Sequence, residues 1–484
     1  MKRFTSILLV SALLAVFTGC ATEGGGSGTS LTTGSGQETT TADLTTSKIT
    51  PDLPDVKYDG YEMKFFVRGP ENSAMFQVLR NIDTEEENGE PLNDALYTRN
   101  ARIEEKYDVK ITGIGSNGTN GAGAAMATML LAGDSTYDVI IPAMSQIGAV
   151  IMSDVLVDLK TVPHIGWDKP WWDQSLDRDI SIGGKTFATM GDICISTSRA
   201  ILMMMFNKQM IADFTLENPY DLVRNDKWTL DKLNEMSRNV SKDLNGDGVL
   251  NAEDQYGYLV QQATSVNLFY GTGENVTKKD KNDIPELALV NNKRSVDVLT
   301  KMIDIFSSSD YVFWGDDNNT RDMFVNGQGL FFGQALNMVE VIRNEDVNFG
   351  VIPVPKFDAN QKEFYHFADT HCMSVLAIPK TNENLDRTGV ILEALCAESS
   401  DTIVPAFYDI NLIGKFFRDE ESAEMLDIIL GTRVVSLDEM YTWGAHKMVR
   451  GILDGRNYNI ASTVEANADV IKGKIDEAIK TIVK

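Results

Sequence analysis

Between Asp243 and Asp254 the chain has the residue spacing that a hard cation requires. The segment reads Asp-Leu-Asn-Gly-Asp-Gly-Val-Leu-Asn-Ala-Glu-Asp, with oxygen-bearing side chains at loop positions 1, 3, 5 and 9. Position 6 is Gly248 and position 12 is an acid. A loop of this pattern winds round a Ca²⁺ ion, which takes six to eight oxygens, and the glycine permits the sharp turn. Asp243, Asn245, Asp247, Asn251 and Asp254 would supply side-chain oxygens, and Val249 its backbone carbonyl. Asp254 stands where an EF-hand carries the longer Glu, and Glu253 is one position out of register. Leu230 to Ser241 reads as a helix, whereas Gln255-Tyr-Gly-Tyr reads as a strand, so a paired EF-hand is not expected. The expectation is a structural calcium loop, with an acidic β-turn as the alternative.

The aromatic residues suggest a second kind of chemistry. Trp167, Trp171, Trp172, Trp314 and Trp443 lie near Gly, Asp or Asn rather than inside apolar runs. Exposed indole faces stack on the CH-rich faces of sugar rings, and neighbouring amides and carboxylates meet the hydroxyls; half-buried packing is the alternative for each. No catalytic constellation stands out. His164, His366, His371 and His446 form no HExxH, and no GxSxG occurs. Glycoside hydrolysis needs two carboxylates at a set separation, which spacing along the chain does not reveal. Cys194, Cys372 and Cys396 lie in apolar surroundings without a CxxC. They read as small buried hydrophobes, with a Cys372–Cys396 disulfide as the alternative. The run Gly113 to Gly123 lacks both GK[ST] and GxGxxG and reads as a flexible strand-to-helix loop.

These residues need elements to position them. Tyr61 to Arg68 reads as a buried edge strand, Leu92 to Tyr107 as a helix and Asp108 to Thr112 as a strand. Ala124 to Leu131 follows as a helix, and Tyr137 to Ile141 as an apolar strand ending at Pro142. Strands alternating with helices predict an α/β lobe with a largely parallel sheet. Ligands bind beyond the carboxyl ends of such strands, where Met144, Ser145 and Gln146 fall, with a plain loop as the alternative. Ile201 to Phe206 reads as a buried strand and Leu230 to Asn239 as an amphipathic helix. A second α/β pattern runs to about Phe349, and helices dominate the last hundred residues, including Val464 to Ile482.

The start of the chain bears on location. Lys2 and Arg3 precede the apolar run Ile7 to Phe17, then Thr18, Gly19 and Cys20. This is the layout of a secretory signal, too short to span a bilayer stably. A cysteine directly after small residues predicts lipoprotein processing, with cleavage before Cys20 and acylation of it. Phe17 stands where Leu is usual. Ala21 to about Thr50 is mostly Gly, Ser and Thr, a composition that does not bury enough surface to order itself. As a coil of about 35 residues it spans roughly 30–35 Å. Signal (1–19) and lipidated linker (20–55) together predict attachment to the outer face of a cell membrane, of the Gram-positive type.

Removing residues 1–19 takes Lys2 and Arg3 away, so the formal charge of −26 becomes −28. That acidity argues against nucleic acid or an anionic membrane surface as partner. The remaining body of about 430 residues exceeds a single core, so two lobes are expected. No later stretch is long and apolar enough to span a bilayer.

From about Tyr58 onward the chain resembles the extracellular solute-binding proteins of sugar ABC transporters, the class that includes maltose-binding protein. The resemblance rests on segments in order: Tyr137-Asp-Val-Ile-Ile with Val155-Leu-Val-Asp-Leu159, then Met205-Phe-Asn-Lys-Gln-Met210. Pro219 with Trp228-Thr-Leu-Asp-Lys-Leu233 follows, then Phe324-Val-Asn-Gly-Gln-Gly329, Phe349-Gly-Val-Ile-Pro-Val-Pro355 and Met373 to Lys380. Phe206 replaces the family's usual Tyr, and Gln334-Ala-Leu lacks its common Trp. The resemblance implies a class II two-lobe fold with a ligand cleft between mainly parallel sheets. Lobe one would hold 56–188 and 372–415, and lobe two 193–368 and 416–484. Crossings would fall near Met190-Gly-Asp192 and Ala368-Asp-Thr370, about which closure would trap a solute. By position it implies Met144, Ser145, Gln146, Trp171, Trp172, Asp192, Gln334 and Trp443 as cleft residues. The implied function is that of a monomeric, non-enzymatic binder handing a carbohydrate to an ABC permease. A calcium-containing surface glycosidase and a binder of a non-sugar solute such as a peptide are the alternatives.

Overall fold

Tyr61–Val67 (β1) places Met63, Phe65 and Val67 in the core at every second position, the period of a strand. The computed structural model describes residues 49–68, 82–115, 122–408 and 419–484. The Met1–Cys20 signal and most of the Gly/Ser/Thr linker lie outside the described residues, as does the middle of the Gly113–Gly123 run. β1 pairs in parallel with Val109–Gly115 (β2) and with Val139–Ile141 (β3), in the order β2-β1-β3. It is therefore the central strand, not the edge that its sequence suggested. Both of its neighbours arrive by helical crossovers, and both pack against it. The helix Pro91–Tyr107 starts with a proline in its first turn and the Glu90 side chain accepting from Asn93 N; it stops at Asp108, in the left-handed region.

A later piece of chain completes this first sheet. Residues 374–379 run antiparallel beside it through Ile140 with Ala377, Ala143 with Ser374, Leu156 with Pro379 and Thr189 with Leu376. The buried helix Leu385–Asp401 follows and packs on Pro91–Tyr107.

The second sheet has five strands. Leu202–Asn207 (β4), buried at every residue, and Tyr256–Gln261 (β5) are followed by a small hairpin, Thr277–Lys279 (β6) with Pro285–Leu287 (β7). Val312–Gly315 (β8), Gly329–Ala335 (β9) and Phe349–Ile352 (β10) complete the order β10-β4-β9-β5-β8. β5 is parallel to β8 and β9, whereas β4 is antiparallel to β9 and β10. The expectation of a mainly parallel sheet in each lobe is thus corrected for the second, which is mixed. The reason is direction: Leu202, where β4 begins, lies beside Ala335, where β9 ends. β4 leaves the junction between the sheets, while β9 and β5 run back towards it. The architecture is the two-lobe α/β fold of periplasmic binding proteins, each lobe built on one sheet.

Two short strands, His366–Phe367 (β11) and Arg433–Val434 (β12), pair in parallel between the sheets. The long helix Ile460–Ile482 buries Ile460, Val464, Ala468, Ile471 and Ile475 at three- and four-residue spacing. Met144, Ser145 and Gln146 form the first turn of the helix Met144–Met152 rather than a loop. That helix packs so closely on Leu437–Tyr441 that a Cβ on Gly148 would lie 2.2 Å from the Met440 carbonyl oxygen. Residues Thr50–Lys484 form one compact unit. Among the described residues no helix is long and apolar enough to cross a membrane.

Candidate functional site

The carboxyl ends of both sheets converge on one stretch of chain, Ala368 to Met373. Asp369 N–H donates to the Ala200 carbonyl at 2.9 Å, tying the stretch to the entry of β4. Ser145 N–H donates to the Thr370 carbonyl at 3.1 Å, and Met144 N–H to the Met373 carbonyl at 2.9 Å, tying it to the end of β3. Arg68, just past β1, donates from Nη1 to the His371 carbonyl at 2.7 Å. Thr370 Oγ1 donates to Glu439 Oε2 at 2.9 Å, and the other Glu439 oxygen lies 3.0 Å from His446 Nε2. Six separate elements thus meet here. In an α/β fold this is where a ligand binds.

The electrostatics of this crossing are largely self-contained. Arg199 meets Glu340 in a two-pronged ion pair, Nε to Oε1 and Nη2 to Oε2, each at 2.9 Å. Burial alone would raise the Asp369 carboxyl, but hydrogen bonds from the His371 side chain and backbone N–H hold it below the usual range. Its hydrogen bond to Asp369 in turn raises His371. Burial, helped by Asp369, pushes the Cys372 thiol far up, so it is a neutral S–H. Asn337, at the start of the helix Asn337–Ile342, is 1% exposed. Its carboxamide lies beside Cys372, yet neither Oδ1 nor Nδ2 has a hydrogen bond of good geometry.

A narrow recess of about 10 Å³, room for a single water, lies on the second sheet, lined among others by Met204, Tyr258, Gln261, Ser265, Asn267 and Gln334. It sits over β5 and the end of β9, two residues before Leu336, whose N–H donates to the Ile201 carbonyl at 2.8 Å. Its polar lining consists of amides and hydroxyls.

The residues singled out from sequence fall in several places. Ser145 reaches the crossing, and Gln334 lines the recess, where its Nε2 donates to Asp317 Oδ1 at 2.8 Å. Gln146 Oε1 accepts from Gly123 N–H at 3.0 Å. Met144 is a core residue. The expectation of exposed indole faces is corrected. Trp171 and Trp172 are buried, and their Nε1 groups donate to the two oxygens of buried Glu393, at 3.1 and 2.6 Å. Trp443 is buried against Tyr441, with nearly parallel rings 5.2 Å apart. Trp167 is covered by Lys160 and Trp314 by Arg456. Glu393 and Arg456, distant in sequence, and Lys160 and Tyr441, nearby, cover these rings, so their polar sequence neighbourhoods did not mean exposure.

Asp192 lies on the other crossing, with its N–H on the Trp171 carbonyl and its carboxylate accepting from Ser400 Oγ at 2.5 Å. Burial, together with nearby Asp173, raises it to about 7 despite Ser400 and Arg433. Arg68, Arg199, Asn337, Glu340, Asp369 and Glu439 carried no motif. Arg68, Asn337 and Asp369 fall within two residues of a strand end, the one signal that could have found them, whereas Arg199, Glu340 and Glu439 carried none.

The loop Asp243–Asp254 is closed by mutual backbone hydrogen bonds between Lys242 and Gln255. Its acids are turned onto its own backbone: Asp243 accepts from Gly246 and Gly248 N–H, and Asp247 from Val249 N–H. Asp254 is buried and is held below its usual range by the N–H groups of Leu244 and Asn251. Among the described residues no group of three or more His, Cys, Asp or Glu side chains is gathered to hold a metal. Each carboxylate oxygen still keeps a second lone pair. Among the described residues no disulfide joins Cys194, Cys372 or Cys396, so the Cys372–Cys396 pairing is not formed.

The sequence model of the bacterial extracellular solute-binding proteins matches residues 83–387. Comparison with curated protein sequences gives no match. Among solved structures, the cyclic alpha-maltosyl-1,6-maltose binding protein of Arthrobacter globiformis is 13% identical with a TM-score of 0.59, covering 86% of this chain and 99% of that one. The maltose/maltodextrin-binding domain MalE from Bdellovibrio bacteriovorus, bound to maltotriose, is 12% identical at a TM-score of 0.52, over 87% and 100% of the two chains. UgpB from Mycobacterium tuberculosis, in complex with glycerophosphocholine, is 13% identical at 0.55, over 80% and 97%.

Proposed function

We propose, for a chain that belongs to the bacterial extracellular solute-binding proteins, the role of the carbohydrate-capturing component of an ABC importer. The observation that carries the reading is that the charges at the crossing are engaged within it: Arg68 by the His371 carbonyl, Asp369 by His371, and Glu439 by Thr370 and His446. Arg199 is matched by Glu340, and Cys372 holds its proton. What is left to meet a ligand is the Asn337 carboxamide and the amides and hydroxyls of the recess. Such groups suit an uncharged polyhydroxylated solute better than an anion. Two of the structural relatives bind maltose-type sugars by their own descriptions, which supports the same class. Lobes of 56–188 with 372–415 and 193–368 with 416–484 would close about Met190–Asp192 and Ala368–Thr370. Ser145 and Gln334 are cleft residues in this reading; Cys20 carries the lipid that keeps the binder beside its permease.

Isothermal titration against a panel of oligosaccharides, with hydrolysis followed in parallel, tests the reading. Binding without product release is expected. Failure of every sugar to bind, or steady release of product, overturns it. The Asp243–Asp254 loop we assign to structural Ca²⁺, with Asp243, Asn245, Asp247, Asn251, Asp254 and the Val249 carbonyl as ligands. Asp243→Ala with Asp247→Ala should abolish the effect of a chelator on melting temperature while sugar binding persists. A chelator effect equal to that in the wild type removes the metal.

A further inference from the structure

The hairpin β6–β7 belongs by chain order to the second lobe, since it lies between β5 and β8 of the five-stranded sheet. Its tip nonetheless grips a turn of the first lobe. That turn, residues 182–185, precedes Thr186, whose carbonyl accepts from Leu159 N–H at 2.7 Å, and Thr189, which lies beside Leu376. Gly183 N–H donates to the Asp283 carbonyl at 3.0 Å, and Gly184 N–H to Asp283 Oδ2 at 3.0 Å. Gly183, Gly184 and Asp283 all take positive φ, 59°, 75° and 63°, so the fit of turn to tip requires backbone that most residues avoid. Lys279 Nζ donates to the Arg178 carbonyl at 2.6 Å and to Ser181 Oγ at 3.0 Å, while pairing with Asp283 Oδ1 at 2.8 Å. The Lys279 and Asp283 side chains are largely covered, 17% and 28% exposed. The last helix packs on β7 and receives Lys185 Nζ at the Ile482 carbonyl at 2.8 Å, on the same seam.

We infer that β6–β7 is a latch, which holds the two lobes in this arrangement and lets go when they turn about the crossings. The inference rests on the lobe movement proposed above, but not on the identity of the solute. The gripped turn hangs on the first crossing: the helix Gln174–Ile180 that leads into it starts after Asp173, whose N–H donates to the Met190 carbonyl at 3.0 Å. A rotation of the lobes about Met190 thus moves the turn against the hairpin. The chemistry of the seam is that of a releasable contact. Lys279 and Asp283 stand four residues apart on the hairpin and pair with each other, while their partners across the seam are backbone groups and one hydroxyl. Parting the seam leaves the two charges still matched, and water takes the place of the backbone partners. An ion pair split between the lobes would instead strand both charges.

The test uses the full chain without ligand, compared by amide hydrogen exchange and small-angle X-ray scattering. Lys279→Met removes the donors to the first lobe. Asp283→Gly removes the carboxylate while glycine keeps the left-handed backbone. Each should speed exchange of the 178–184 peptide by roughly tenfold, as the loss of a charge-assisted hydrogen bond implies. Exchange in β1 and β4, one from each sheet, should stay at the wild-type rate. Combining the two substitutions should give a scattering profile that no longer superimposes on that of the wild type, because further lobe arrangements become populated. If Asp283→Gly also speeds exchange in β1 or β4, its fold is loosened and Lys279→Met alone decides by both measurements. Faster exchange at 178–184 with superimposable scattering means that the hairpin is a local clasp, and overturns the latch. So does exchange at 178–184 within twofold of wild type. Either failure leaves the carbohydrate reading, which titration decides, in place.

Discussion

The chain passes between its two sheets at Met190–Ile193 and again at His366–Met373, and the two crossings satisfy buried polarity to different degrees. At the first, the groups close on one another. Trp171 and Trp172 hold Glu393, Gly166 N–H adds a third donor to that carboxylate, Ser400 holds Asp192, and Arg433 pairs with Asp173. At the second, the Arg199–Glu340 pair is equally complete, but the Asn337 carboxamide and the Thr197 hydroxyl lack partners, against Arg433 Nε and the Thr189 hydroxyl at the first. A closed network fixes geometry and has nothing to offer a ligand. An open group in an otherwise closed network is costly unless something else completes it. The two crossings differ in degree, with a whole carboxamide lacking partners at the second.

The largest expected effect attacks that contrast directly. Glu393→Ala removes the acceptor for two buried indole N–H groups and leaves a void, at a cost of about 3–5 kcal/mol in urea unfolding. The folded fraction should bind sugar as the wild type does. A tenfold loss of affinity at unchanged stability would move the first crossing into the binding site.

The second effect concerns His366, on β11 at the other crossing. Its Nε2 accepts from Val354 N–H and its Nδ1 faces Thr432 Oγ1, whose own proton goes to the Ile428 carbonyl, so the ring is neutral with its proton on Nδ1. Burial pushes it down to about 3. The unfolded chain therefore takes up a proton near pH 6.5 that the folded chain refuses. Stability should decline as pH falls from about 6.5 towards 3, by about 2–4 kcal/mol from this residue. A His366→Gln variant whose acid limb matches the wild type would remove His366 as the cause.

Asp192 gives the smallest effect, with the opposite sign. Raised to about 7, it stays protonated in the folded chain while the unfolded chain ionises it from about pH 4. Its cost is absent at pH 4 and grows up to about pH 7. Asp192→Asn should match the wild type at pH 4 and exceed it by about 1–3 kcal/mol at pH 7.5, the low end reflecting its partial exposure. A gap independent of pH would show that Asp192 is charged in the fold.

Much of this was legible in the sequence, and the rest was hidden for physical reasons. β1, β3, the helix Pro91–Tyr107 and the final helix follow local periodicity and were found within a few residues of their ends. The order of weak segments along the chain pointed to the right family. The burial of Trp171 and Trp172 was not legible, because their partner Glu393 lies more than two hundred residues away. Asn337 belongs to no motif; beyond its place two residues after β9, only its surroundings in three dimensions mark it. The direction of β4 was equally hidden, since alternation of elements does not say which way a strand enters its sheet.

The antiparallel segment 374–379 beside the first sheet has a consequence for how this chain is made. Ile140 waits for Ala377, and Thr189 for Leu376. A ribosome that has released the first three strands has not yet produced the residues that flank them. Such distant pairing slows folding, and the amino-terminal sheet stays incomplete until most of the polypeptide exists. A chain of an extracellular family is thus made with its amino-terminal sheet open for most of its synthesis.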